Sequence, residues 1–75
     1  MKELDAVVLT RDLPAHGLKA GDLGAVVHKP EGGDSFEVEF VRADGRTLAL
    51  VSLKATDVRP FEGAEILQAR RLASA

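Results

Sequence analysis

Four short apolar runs, separated by polar and turn-forming residues, mark out this chain. The first is Ala6-Val7-Val8-Leu9-Thr10. A long polar segment from Arg11 to Asp22 follows, with Pro14, Gly17 and Gly21 in it. The second run, Leu23-Gly24-Ala25-Val26-Val27-His28, ends in Pro30, Gly32, Gly33 and Asp34, the composition of a turn. In the third run Phe36, Val38 and Phe40 alternate with Glu37 and Glu39, which predicts a half-buried antiparallel strand with one acidic face. Asp44-Gly45 then predicts a hairpin. The fourth run, Thr47 to Leu53, is apolar on both faces and predicts a central strand. Ala55-Thr56-Asp57 suits a single tight helical turn. Val58-Arg59-Pro60-Phe61 suits a last short strand, at an edge or strand end because Pro60 has no N–H to donate. Gly24, inside a strand run, predicts a bulge.

A long first loop, tight hairpins, a one-turn helix and a short final strand predict an all-β fold, a small five-stranded SH3-like barrel over residues 1–61. Residues 62–75 form a separate C-terminal tail. After Gly63, the stretch from Ala64 to Ala73 is made of good helix formers, with Glu65 near its start and Arg70 and Arg71 near its end, as a helix dipole favours. This predicts a short helical appendage. Ten residues are too few to hold a helix alone in water, so it packs on the barrel, packs on a partner, or frays.

Composition narrows the picture. A chain of 75 residues buries only roughly 60% of its unfolded surface. With no cysteine it has neither disulfide nor thiolate metal site to compensate, so efficient packing or self-association must. A net charge of −2 with interspersed signs gives no electrostatic reason to approach a phosphate backbone. The absence of a long apolar run and of a signal-peptide layout leads to the expectation of a cytoplasmic protein with no membrane contact.

Candidate chemistry is sparse. His16 and His28 lie 12 residues apart with no ligand pattern around them, so no metal is expected. Glu37 and Glu39 sit about 7 Å apart by strand geometry. A glycosidase-like acid needs an apolar pocket to raise its pKa, and an exposed strand face offers none. Ser35, Ser52 and Ser74 lack a nucleophile-elbow context, and Glu31-Gly32-Gly33-Asp34 lacks the Lys and helix start of a phosphate cradle. The expectation is a non-enzymatic protein with no cofactor. With no Tyr or Trp, an aromatic groove for proline-rich peptides is also excluded.

Leu18 to Val27, with Gly21, Asp22, Gly24 and a Val run, resembles a KOW motif, the loop-strand unit of several ribosomal and transcription proteins. Each of those residues also has a purely structural use. Taken together, Met1 to Leu9, Asp12-Leu13-Pro14, Gly17 to Val27, Phe36 to Phe40 and Asp57-Val58-Arg59-Pro60 resemble the small bacterial proteins grouped as domain of unknown function 4926, over about residues 3 to 61. That resemblance implies an SH3-like barrel and no catalytic residue. More distantly the barrel is similar to accessory subunits of photosynthetic electron-transfer complexes and to the β-subunit of nitrile hydratase, an analogy of fold alone. The expected function is a protein-interaction module, an accessory or partner-docking subunit, or a homo-oligomer. The alternative is a KOW-like RNA- or ribosome-associated protein. The expected partner surfaces are Arg11, Asp12, His16 and Lys19 in the long loop, Glu37 and Glu39 on the third strand, and Ile66, Leu67, Arg70 and Leu72 in the tail.

Overall fold

A computed structural model describes residues 4–72. Five strands run in the order expected: β1 (Ala6–Leu9), β2 (Leu23–His28), β3 (Ser35–Val41), β4 (Thr47–Lys54) and β5 (Val58–Pro60). They form one antiparallel sheet in the order β4-β3-β2-β1-β5. Among the described residues β4 and β5 are its two ends and do not pair, so the hydrogen-bonded sheet is open rather than a closed barrel. β4 is therefore an end strand, not the central one its sequence suggests. Its apolar residues divide by position: Val51 and Leu53 are buried opposite Val38 and Phe36, whereas Leu50 is 56% exposed.

The alternation in β3 sorts as its chemistry dictates. Phe36, Val38 and Phe40 are buried and Glu37 and Glu39 face the other way. Val7, Leu9, Val26, Val51, Leu53 and Val58 complete one aliphatic core with them. Leu13 and Leu18 join that core from within the long loop, where they form an isolated β-bridge with each other. That segment is not simply a polar excursion: its backbone is folded over two leucines, with a 3-10 turn at Pro14–His16 between them.

The hairpin at Asp44-Gly45 forms, with Gly45 N–H donating to the Arg42 carbonyl at 2.9 Å. Ala55–Asp57 is a single 3-10 turn, and Pro60 lies in the end strand β5, opposite Val7. The β2 bulge falls beyond Gly24, where the register shifts between Val26 and His28. Gly24 has another reason to be glycine. A Cβ there would lie 2.6 Å from Val38 Cγ1 and 2.8 Å from the Phe40 ring. The residue opens space for the β3 side chains rather than bending its own strand.

Among the described residues no helix forms in the tail. Residues 65–72 carry no regular secondary structure and run as a strap back across the sheet; Ala73, the last residue of the expected helix, lies outside the described residues. Helix propensity loses here because the side chains find partners on the body that a helix would withdraw.

Candidate functional site: the strap and the cleft beside it

The strap is held by two ion pairs, one near each end. Glu65 takes Arg59 in a two-point contact, with 2.6 Å and 2.8 Å between their atoms, and accepts the Glu62 N–H at 2.7 Å. Arg59, and to a lesser degree the Glu62 N–H, hold the Glu65 carboxyl below its ordinary pKa. Further along, Asp22 receives Arg70. Arg70 Nε donates to Asp22 Oδ1 at 2.9 Å, and its Nη2 donates both to Asp22 Oδ2 and to the Gly17 carbonyl at 3.0 Å. Gln68 Nε2 donates to the same Oδ1 at 2.9 Å, and the Lys19 N–H to Oδ2 at 2.9 Å. Burial pushes the Asp22 carboxyl up; the hydrogen bonds from Arg70 and Lys19, the Arg70 charge and the Gln68 amide outweigh it and hold the group below its ordinary value.

Gly21 makes room for this arrangement. Its φ of +94° favours glycine, and a Cβ would come within 2.5 Å of Gln68 Oε1. Beneath the strap lies Val8, which is 5% exposed yet outside the main core. It lies in a small recess lined also by Leu23, Phe61, Leu67 and Gln68. The strap thus shields an apolar position on the far face of β1.

Between the strap and the β3–β4 hairpin opens a larger cleft of about 760 Å3. Leu23, Phe40, Val41, Leu48, Leu67 and Leu72 give it an apolar lining. Arg42, Asp44 and Arg71 also line it, and Arg42 and Asp44 form an ion pair at 3.0 Å. Three of the exposed large apolar residues lie on it, Leu23, Val41 and Leu67, the last 61% exposed; Ile66 is their neighbour along the strap, whereas Leu4 and Leu50 are exposed elsewhere.

The residues expected from sequence divide into three places. Leu67, Arg70 and Leu72 line the cleft, and Ile66, largely exposed, borders the small recess beside Val8. The loop residues serve the fold where they bond: Arg11 Nε pairs with Asp57 at 2.8 Å, Asp12 Oδ1 accepts the Ala20 N–H at 2.8 Å, and the Lys19 N–H goes to Asp22. His16 is exposed on the 3-10 turn. Glu37 and Glu39 are half-buried on β3, where Glu39 accepts the Thr47 hydroxyl at 2.5 Å. Between loop and tail, Arg70 and Lys19 meet through Asp22, and the Asp12 carboxylate also acts on the Arg70 charge. Val41 and Leu48 complete the region and escaped the sequence reading; Gly21, Asp22 and Gln68 lie within the loop and tail expected to meet a partner but are not among the residues singled out from sequence. Gly21-Asp22 was visible there as a turn; its partners, 46 to 48 residues away, were not. Among the described residues no group of three or more His, Asp or Glu side chains could hold a metal ion, and no helix is long and apolar enough to cross a membrane.

The fold and this region define a small all-β domain with an open antiparallel sheet and a latched C-terminal strap. The chain belongs to the family described as Domain of unknown function (DUF4926), whose model matches residues 3–60. The match ends before the strap. No curated protein and no solved structure matches the chain.

Proposed function

We propose that this protein is a non-enzymatic docking module, an accessory subunit of the bacterial cytoplasm that binds another protein along the strap and its cleft. The observation that carries the reading is the exposed apolar surface there: Val41 and Leu67, both about half exposed or more, stand on a cleft lined also by Phe40, Leu23 and Leu48, with exposed Ile66 next to Leu67 along the strap. Exposed apolar area grouped about a groove is characteristic of protein-binding surfaces, whereas scattered apolar residues are ordinary. The element order, with a one-turn helix between β4 and β5, supports an SH3-like barrel as the scaffold.

The RNA-associated alternative finds less support. Arg11, Arg42, Arg59 and Arg70 are each held by a carboxylate, so much of the basic charge is already neutralised on the protein. Residues of the KOW-like segment have structural work in this fold. Gly24 admits Phe40, and Asp22 latches the strap.

A photo-crosslinking side chain placed at Val41 should capture one dominant protein in cells that make this chain. The same label at Glu31, on the far turn, should not. The captured protein, once purified, should bind the wild-type chain and lose that binding on Leu67→Asp. Equal, unselective labelling from both positions would overturn the docking reading.

A further inference from the structure

The latch between Asp22 and Arg70 has a property that the docking reading does not use: it is complementary between any two copies of this chain. We propose that the strap of one copy docks on the Gly17–Asp22 loop of a second, so that two chains exchange residues 64–72 reciprocally. The contacts already on the molecule describe the chemistry of such a docking site. Asp22 offers both carboxylate oxygens to a guanidinium fork, the Gly17 carbonyl takes a further N–H from it, and Gly21 leaves space for the amide two residues earlier. The site reads an extended Leu-Gln-x-Arg segment, and Leu67-Gln68-Ala69-Arg70 is that segment.

Three features make the strap separable from its own body. Among the described residues no backbone hydrogen bond ties residues 66–72 to the sheet, so side chains alone hold this stretch. It joins β5 through a turn at Glu62–Glu65 whose backbone is closed by one hydrogen bond of 3.2 Å and whose side-chain clasp is Glu65 on the Glu62 N–H and Arg59, with open space around Gly63. Opened and extended, the eight steps from Glu62 to Arg70 span up to about 27 Å, enough to reach a neighbouring copy. Reciprocal exchange conserves every contact between strap and loop, so its cost is that of association and of opening the turn, including the Glu65 bonds to Arg59 and the Glu62 N–H. The connected strap has the higher effective concentration, so the closed monomer dominates in dilute solution and exchange grows with concentration. The exchange does not depend on a separate partner in the cleft.

Charge reversal separates the two arrangements. Asp22→Arg sets a second guanidinium against Arg70 within one chain, and Arg70→Asp sets a second carboxylate against Asp22. Each variant alone repels its own strap, both in the monomer and in a self-pair. A mixed pair restores both latches, one in each orientation. Native mass spectrometry and sedimentation of full-length chains should show each variant alone as monomer at tens of micromolar. The equimolar mixture should give heterodimer at least about tenfold more abundant than either self-pair. A mixture of folded variants that stays monomeric overturns the proposal. So do dimers equally abundant in all three samples, because their interface would lie elsewhere. Asp22 also accepts the Lys19 N–H, so Asp22→Arg can fail to fold. In that event the Arg70→Asp chain, its latch vacated, is titrated with a synthetic peptide of residues 61–72. Binding is expected, at least about tenfold weaker for the same peptide carrying aspartate in place of Arg70. No binding, or equal binding of both peptides, overturns the proposal.

Discussion

Replacing Gly24 by alanine tests whether the glycine of the KOW-like segment serves packing. The added Cβ would sit 2.6 Å from Val38 Cγ1 and 2.8 and 3.0 Å from two Phe40 ring atoms. Neither neighbour yields readily. Val38 is wholly buried and stiff at χ1, and Phe40 is 2% exposed within the core. Overpacking of this kind costs about 1–3 kcal/mol. Relief of glycine's backbone entropy returns about 0.5–1 kcal/mol, since Gly24 does not occupy the left-handed region. With two core side chains closer than 3.0 Å the cost lies in the upper part of that range, and the net loss is about 1–2 kcal/mol, a large share of the stability of so small a domain. With a urea dependence of about 1 kcal/mol per molar, the unfolding midpoint should fall by about 1–2 M. Far-UV circular dichroism through a urea series reads this directly. An alanine variant as stable as wild type would refute the close-approach argument and leave Gly24 free for another role.

Leu13→Ala and Leu18→Ala should each cost about 2–4 kcal/mol in the same assay, because both leucines are buried in the core from within the loop. A loss below about half a kilocalorie per mole, the usual effect of a surface change, would place them outside it. Gly21→Ala should speed amide exchange through residues 17–22 while sparing β3 and β4, because the new methyl meets Gln68 and a φ of +94° strains any other residue. Stability should decline in acid. The Asp57 carboxyl is held below its ordinary value of 3.8 first by the Lys54 N–H and then by Arg11, and Asp22 is lowered by its partners against the effect of burial. Carboxylates with lowered folded pKa values stabilise above the unfolded value and lose that contribution as pH falls through the folded one. The urea midpoint should therefore drop below about pH 4, and Asp22→Asn with Asp57→Asn should flatten that drop.

Where neighbours in sequence are also neighbours in space, the chain was readable. The Phe36–Phe40 alternation, the Asp44-Gly45 hairpin and the turn at Ala55–Asp57 rest on contacts within a few residues, and the end-strand place of Pro60 follows from its own missing N–H. What escaped depends on distant pairs. Leu13 and Leu18 stand alone in a polar stretch, and nothing local marks them as core. The run at Leu48-Ala49-Leu50 looks central because both faces are apolar; in the fold Leu48 lines the cleft and Leu50 is exposed at the end of the sheet. The bulge sits beyond Gly24 because the register shift accompanies Val27, while the glycine answers to Phe40 across the sheet. The tail has the composition of a helix, but Gln68 and Arg70 are both taken by Asp22 in the long loop, a partner nothing local in the sequence announces. For the same reason Ile66, Leu67, Arg70 and Leu72 could be expected at a surface from sequence, but not the cleft that three of them line.

Everything proposed for this face depends on the strap lying extended against Asp22. Solution NMR of the full-length chain measures that directly. Carbon chemical shifts over residues 64–72 should be non-helical, with through-space contacts from the Gln68 and Arg70 side chains to Gly17, Gly21 and Asp22. Helical shifts across residues 64–72, with no contact to the loop, would contradict the strap and remove the cleft along with it.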